Sequence, residues 1–495
     1  MIPLDPDLCI QNLSFSYPEY PGIAARHLFR NLDLHVPGES IAVLLARPDQ
    51  GKTTLCRVLA GLIPRFSGGE IKGEVCLGPI KPLDQEPYEL IDQVGLVFQH
   101  PGEQLLTSRC DAEVAFPLES MGLARSEIQQ RVTRSLQSMD LERYRYQSPK
   151  VLSGGERKKL LIACLLAVDP RLWLLDETLE ELDRGTKRQL LELLKDRRRS
   201  TLILSAKWHD IFRKYADLVY LMEEGQVRPV REKPGTRDFH RLLLKRGFVL
   251  PGEGSVPDQP PSPARAPTTQ ESKTDAGILL EARDLFFRYE QGREEPASPF
   301  TLSIDRLHIA TGKVLAIVGD NGSGKSTLGR LLCGLLAPGG GEIRIRREGV
   351  LQRAEAQDLN RFTGYLFQDP DLQIFLPTVF EELALGLRHR HLSREEINKR
   401  VEKTLSLFGL PAGEAPPSLM SYGARKKLQA AVYYLLDRPL MIIDEGDSGL
   451  SVDDFARAIG IFRKADGTVL FITHDFRLAG ALADEVLELK AGRFV

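Results

Sequence analysis

The stretch VLAIVGDNGSGKSTLGRLLCGLL, residues 314–336, decides the fold. An apolar, β-rich run (314–318) enters a turn with glycines at 319, 322 and 324, and leaves as an apolar helix. That is the strand, loop and helix order of a nucleotide-binding α/β unit, and a parallel sheet follows from it. Residues 319–326 fit G-x-x-x-x-G-K-[ST]. In that pattern the glycines let backbone N–H groups wrap phosphates, Lys325 reaches the β and γ oxygens, and Ser326 holds Mg²⁺. The candidate phosphate-binding residues are therefore Gly319, Asn321, Gly322, Ser323, Gly324, Lys325, Ser326 and Thr327. A Gly-rich turn with no ligand needs neither the strand before it nor the helix after it, so context favours the functional reading.

Downstream, LMIID444-E445 reads as an apolar strand ending in two carboxylates. Asp444 is placed to join the Mg²⁺ shell and Glu445 to orient an attacking water. Alone such a strand end marks only a solvated loop; its distance from Lys325, 119 residues, makes it informative. A further strand, TVLFIT, delivers His474. Working outward, the same order stands earlier in the chain: FSYP at 15 and FRYE at 287, Lys52-Thr53 and Lys325-Ser326, FQHP at 98 and FQDP at 367, LWLLD176-E177 and LMIID444-E445. Lys52 to Asp176 spans 124 residues, so the register holds throughout. The chain is a duplication. Between the copies, residues 251–277 hold six prolines and almost nothing apolar, the composition of an extended, semi-rigid spacer. The expected domains are 1–247, a linker 248–277, and 278–495. Within each half, Ser126 with Gln129 and Ser393 with Glu396 read as capping boxes that open helices with apolar residues four apart, so each half carries a helical subdomain. The expected fold class is α/β: two tandem P-loop domains, each with a mixed, mainly parallel sheet and a helical subdomain.

Composition sets the bounds. A length of 495 residues with 42% hydrophobic and 27% charged residues is that of an ordinary globular protein. Lys plus Arg 66 against Asp plus Glu 68 gives −2, which removes the footprint of a nucleic-acid binder. The longest apolar runs, such as 160–168, fall far short of the ~20 residues that cross a bilayer. The N-terminus, with Asp5 and Asp7, lacks the pattern of a signal peptide, so a cytosolic chain is expected. The six cysteines lie scattered with no C-x-x-C pair, which argues for reduced thiols rather than a zinc site or a disulfide framework.

At 152 stands Leu-Ser153-Gly154-Gly155-Glu156, followed by an apolar helix. Ser153 and Glu156 form a capping box around two glycines, leaving bare N–H groups and a positive dipole end, an anion site without its own P-loop. With the P-loop, the FQ motif and the acidic strand, LSGGE resembles the signature of the ATP-binding cassette (ABC) family, and the likeness covers nearly all of both halves. The resemblance implies that two such domains close head to tail, each ATP lying between one half's P-loop and the other half's signature. It implies that Tyr17 and Tyr289 stack on adenine, that Gln99 and Gln368 link Mg²⁺ to a transport partner, and that His474 is the switch histidine. The segments after each glutamine, FQHPGEQLLTSRCDAEVAFPLE and FQDPDLQIFLPTVFEELALGL, are similar to those of energy-coupling factor (ECF) importers. That likeness implies a peripheral ATPase on the cytoplasmic face of the membrane. It would drive an integral T component and a substrate-binding S component in vitamin or metal uptake, with Glu113 and Glu381 as candidate partners for basic residues of the T component. A fused sugar-importer ATPase is the nearer alternative, and a soluble tandem ABC protein acting on ribosomes or DNA the more distant one.

The halves depart from the pattern in complementary ways. The first reads Ala46-Arg-Pro-Asp49-Gln-Gly51-Lys52-Thr53-Thr54, so Ala46 and Asp49 replace glycines, and Asp49 sets a carboxylate in a loop meant for phosphates. Aligning STLILSAKWHD with GTVLFITHDFR puts Lys207 at the switch histidine, with His209 two residues late. The second half reads Met420-Ser421-Tyr422-Gly423-Ala424 in place of LSGGE, with Tyr422 adding bulk against the phosphate. Under the head-to-tail arrangement these changes gather in one site, that of Tyr17, Gly51, Lys52, Thr53, Thr54, Gln99, Asp176 and Glu177 with Ser421 and Gly423. The other site keeps Tyr289, the 319–327 loop, Gln368, Asp444, Glu445 and His474 with Ser153, Gly154, Gly155 and Glu156. One hydrolytic site, using ATP and Mg²⁺, and one regulatory or structural site are expected.

Overall fold

The computed structural model describes residues 6–19, 26–99, 101–180, 182–249, 277–289, 300–320, 322–390, 392–446, 450–464 and 467–495. They form two compact units, Met1–Val249 and Leu250–Val495. The Pro-rich stretch, from 250 to 276, lies outside the described residues, as does Asn321.

In the first unit, the strands Val94–Val97, Leu172–Asp176, Ser200–Ser205, Ile41–Ala46 and Leu218–Glu223 run parallel in that spatial order, and Gln226–Pro229 closes the edge antiparallel. The central strands are buried at every position, which is why they read as unbroken apolar runs: a parallel sheet has helices on both faces. A second, antiparallel sheet (Arg26–Val36, Leu8–Tyr17, Glu70–Leu77) packs its alternating apolar residues Leu8, Ile10, Leu13 and Phe15 against the P-loop helix Lys52–Leu59. The second unit repeats the plan. Thr363–Leu366, Leu440–Asp444, Thr468–Thr473, Val314–Val318 and Glu485–Lys490 are parallel, Arg493–Phe494 is antiparallel, and Thr301–Ala310, Ile278–Arg288, Gly340–Arg347 and Val350–Arg353 form the second sheet.

The helical subdomains are Cys110–Ser120, Arg125–Ser138 and Gly154–Val168 in the first unit, and Val379–Arg388, Arg394–Phe408 and Tyr422–Leu436 in the second. Ser393 and Glu396 form the expected capping box. Ser126 and Gln129 do not. The helix begins at Arg125, two residues earlier than a Ser126 cap would place it, with Ala124 in extended geometry at its cap and no side chain serving it. The cysteines are free thiols, but Cys9 and Cys76 are less scattered than the sequence suggests, facing each other across adjacent antiparallel strands. No helix among the described residues is long and apolar enough to cross a membrane.

Candidate functional site

In both units the loop between the first parallel strand and its helix closes on the lysine. Lys325 Nζ donates to the carbonyls of Gly319 (2.7 Å) and Asp320 (2.9 Å), and Lys52 Nζ donates to those of Ala46 (2.7 Å) and Arg47 (3.1 Å). Gly324 and Gly51 take nearly the same left-handed conformation, φ 101° and 99°. The first loop is thus fully formed. Its two substitutions are unequal. Gly319 needs to be glycine, since φ is 153° and a Cβ would sit 2.2 Å from the Leu489 carbonyl oxygen. Ala46 escapes that demand because its strand runs one residue further and pairs Ala46 with Met222, so no penalty falls there. Asp49 does adopt φ 66°, where Gly322 has φ 79°; aspartate is among the side chains that tolerate this region best.

The aromatic residues take parallel places. Tyr17 and Tyr289 pair their hydroxyls with Thr54 (3.0 Å) and Thr327 (3.1 Å) and stand edge-on to Phe15 and Phe287. Tyr289 is 43% exposed, free to offer a ring face. The glutamines meet the second acid of each strand end: Gln368 Nε2 donates to Glu445 (2.8 Å) and Gln99 Nε2 to Glu177 (3.1 Å). Both acids lie in the left-handed region, φ 47° and 46°, and each backbone N–H is anchored to the neighbouring strand. Two non-glycine residues held so at matching places are the kind of strain that marks functional loops.

The first acids differ. Asp444 accepts from Ser326 Oγ at 2.9 Å and from the Tyr365 hydroxyl at 2.6 Å. Asp176 is almost wholly buried and has the Thr53 hydroxyl as its hydrogen-bonding neighbour, but the first unit has Leu96 where Tyr365 stands in the second. Burial first, and the neighbouring Glu177 second, push Asp176 up to about 6, with Thr53 and Lys52 opposing the rise. Its folded value lies above the unfolded one, so stability falls as pH rises from 3.8 to about 6, by up to roughly 3 kcal/mol. Asp176→Asn should therefore raise the melting temperature at pH 7.5, with the gain fading toward pH 4. Thermal melts across that range check it.

The switch position needs a correction. Leu45 and Val318 each stand seven residues before the P-loop lysine, and they face Ser205 and Thr473. Ala206, not Lys207, therefore occupies the place of His474. The strands are buried at every position, with no polar-apolar alternation to fix their register in the sequence. Lys207 Nζ (3.3 Å) and His209 Nε2 (3.2 Å) instead both meet Glu180, which also accepts from Ser205 Oγ at 2.8 Å. The Lys207 and His209 charges hold this buried carboxyl well below the usual range, while burial lowers His209.

The signature helices are capped as read. Ser153 and Glu156 satisfy each other's backbone amides at the start of Gly154–Val168, ahead of Gly154 and Gly155, and Tyr144 donates to Glu156 at 2.6 Å. Ser421 caps Tyr422–Leu436, ahead of Gly423, without a reciprocal carboxylate. Tyr422 turns back into its own unit, donating to the Gln368 carbonyl at 2.7 Å, rather than adding bulk at the helix end.

Three features were missed in the sequence. Lys158 Nζ and Lys426 Nζ, both buried, donate to the backbone carbonyls of Glu177 (3.2 Å) and Glu445 (2.9 Å). The shared Arg-Lys-Lys at 157–159 and 425–427 was the available signal. Glu113 is not a free surface acid. It is 5% exposed and accepts from the amides of Leu106 (3.1 Å) and Thr107 (2.7 Å). Its counterpart is Glu382, bound to the amides of Phe375 and Leu376, whereas Glu381 serves the Thr378 cap. Finally, the Tyr365 contact with Asp444 has no analogue in the first unit.

The donors around Ser326 and Asp444 are hydroxyl and carboxylate oxygens, a set that fits Mg²⁺ when completed by phosphate oxygens and water. Among the described residues no cluster of three or more His, Cys, Asp or Glu could hold a metal by itself.

A family model described as ABC transporter matches residues 29–180 and again 302–448. A protein of Methanosarcina acetivorans, described as an ABC transporter ATP-binding protein, is 32% identical over 99% of this chain and 85% of its own length. One of Methanosarcina mazei with the same description is 30% identical over 99% of this chain and 89% of its own length. Among solved structures, an archaeal ribosome recycling factor in complex with a ribosomal stalk protein matches with TM-score 0.56 at 18% identity, covering 97% of this chain and 89% of that one. At that identity the likeness is one of fold.

Proposed function

Because this chain belongs to the ABC transporter family, as an ATPase with two tandem ATP-binding domains, we propose that it is the energy-coupling subunit of an ECF-type importer for a vitamin or a metal ion. Its partners in this reading are an integral membrane T component and a substrate-binding S component, and it works as a peripheral protein on the cytoplasmic face of the membrane.

The observation that carries the reading is a pair of projecting apolar tips. Leu106 is 74% and Phe375 72% exposed, each on the loop that follows Gln99 or Gln368. Glu113 and Glu382 tie down the amides beneath them. An apolar residue held rigidly in water is favourable only if something covers it, and here the cover would press on the loop that reaches Glu177 or Glu445. Cysteines placed at Leu106 and Phe375 should crosslink to an integral membrane protein in native membranes. Crosslinks to soluble proteins alone would remove the importer reading. Glu113→Ala should loosen the first tip, costing about 1–3 kcal/mol of local stability, read as faster hydrogen exchange at the Leu106 and Thr107 amides.

We assign hydrolysis to the second P-loop. Lys325 and Ser326, with the rest of the 319–327 loop and Tyr289, bind ATP; Glu445 and Gln368 orient the attacking water; His474 contacts the γ-phosphate; and Ser153, Gly154, Gly155 and Glu156 supply the signature. Ser326, Asp444 and Gln368 would hold Mg²⁺, which would neutralise phosphate charge. The site of Lys52, Thr53, Asp176 and Glu177 with Ser421 and Gly423 is the slow or regulatory one. This division is supported by the absence of a histidine at Ala206 and by the Glu180 cluster, which engages Lys207 and His209 internally.

A further inference from the structure

The two units differ at one buried pair of positions that the family assignment does not explain. Tyr365 is the third residue of the strand Thr363–Leu366 and lies opposite Ile442, two residues before Asp444. Leu96 is the third residue of Val94–Val97 and lies opposite Leu174, two residues before Asp176. The Tyr365 side chain is 4% exposed, so its hydroxyl has no access to bulk water, and it donates to Asp444 Oδ2 at 2.6 Å. Ser326 Oγ occupies the other oxygen. In the first unit Asp176 has the Thr53 hydroxyl beside it but, with Leu96 at the place of the tyrosine, no second one.

The P-loop helix is cut to fit the ring. Gly329, in the middle of Lys325–Leu332, is a poor helix residue, yet a Cβ there would stand 2.9 Å from Tyr365 Cε2 and 3.1 Å from Ile472 Cδ1. The residue four places after the other P-loop lysine is Cys56, fully buried in Lys52–Leu59. The chain therefore carries Gly329 with Tyr365 in one unit and Cys56 with Leu96 in the other, a small-with-large exchange that keeps the volume filled and moves one hydroxyl onto one carboxylate.

We propose that Tyr365 is a positioning residue for the Mg²⁺ shell, holding Asp444 by Oδ2 so that Oδ1 and the Ser326 hydroxyl stay aimed at the ion. Groups of this kind, which touch a ligand rather than the metal, commonly change metal affinity by about 10–100-fold when removed. The inference rests on the reading of Asp444 as part of the Mg²⁺ shell.

The test uses the full chain and three variants, Tyr365→Phe, Gly329→Ala and Asp444→Asn. Tyr365→Phe keeps the ring over Gly329 and removes only the hydroxyl. A fluorescent ATP analogue is titrated with and without Mg²⁺, and Mn²⁺ binding in the presence of ATP is followed by electron paramagnetic resonance. Tyr365→Phe should leave metal-free nucleotide binding within twofold, raise the Mg²⁺ needed for half-saturation roughly tenfold, and weaken Mn²⁺ similarly. Gly329→Ala, which pushes the ring without deleting the hydroxyl, should shift the Mg²⁺ requirement in the same direction. If Asp444→Asn raises the Mg²⁺ requirement and Tyr365→Phe does not, the role of Tyr365 is overturned and the site reading stands. If Asp444→Asn leaves it unchanged, the site reading itself fails. Loss of the folded state or of metal-free nucleotide binding in Tyr365→Phe would assign the tyrosine to packing and likewise overturn the proposal.

Discussion

Glu445→Gln should lower steady-state ATP turnover by roughly a hundredfold to a thousandfold, while Glu177→Gln leaves most of it. Phosphoryl transfer is catalysed mainly by positioning and by stabilising charge on the γ-phosphate, and loss of one such group typically costs on that order. Both acids share a backbone conformation and a glutamine partner, so local geometry alone would predict equal effects. The surroundings separate them. Glu445 stands beside an Asp444 fixed at both oxygens and in the unit that has His474, whereas Glu177 stands beside an Asp176 that lacks the tyrosine hydroxyl, in a unit with Ala206 at the histidine place. Glu177 also forms a buried ion pair with Lys52 at 3.0 Å, so its substitution should show instead in the thermal melt of the first unit, since breaking a buried pair costs about 3–5 kcal/mol. Phosphate-release assays with melts on both variants decide the matter. Equal loss of turnover would contradict a single hydrolytic site.

Gly154→Asp is expected to abolish most ATP hydrolysis although the second P-loop is untouched. Gly154 is the first residue of the helix Gly154–Val168, where bare N–H groups and the helix dipole favour an anion. A carboxylate there takes the place of the γ-phosphate that the proposal assigns to it and repels that phosphate at short range. Gly423→Asp, at the place of Gly155 in the other signature helix, follows a first residue, Tyr422, that is already turned into its own unit, and should alter turnover only modestly. Should Gly423→Asp be the damaging substitution and Gly154→Asp the silent one, the assignment of signatures to P-loops is reversed.

What could be read in the sequence was whatever is local or repeated. The P-loops, the acidic strand ends, the two glutamines and the Ser153 cap are short motifs whose geometry follows from a few adjacent residues, and the duplication made each reading double. Misreadings arose where position depends on a distant strand. The switch position slipped by one because a fully buried parallel strand has no polar alternation to count by. Glu113 looked like a surface acid until the loop folded back on it, and Ser126 looked like a cap until the helix began at a residue with no side chain to offer. Tyr365 was invisible for another reason: its significance lies in Gly329 and Asp444, which come from two other elements.

The buried lysines of the signature helices have a mechanical consequence. Lys158 and Lys426 reach out of the helical subdomain and grip the carbonyl of the very residue whose carboxylate faces the nucleotide loop. Pulling either away would leave a buried ammonium without that acceptor, a cost of about 1–3 kcal/mol or more. The helical subdomain and the acidic loop are therefore geared together: a push on one shaft turns the other, and slack has to be found in the glutamine loops between them.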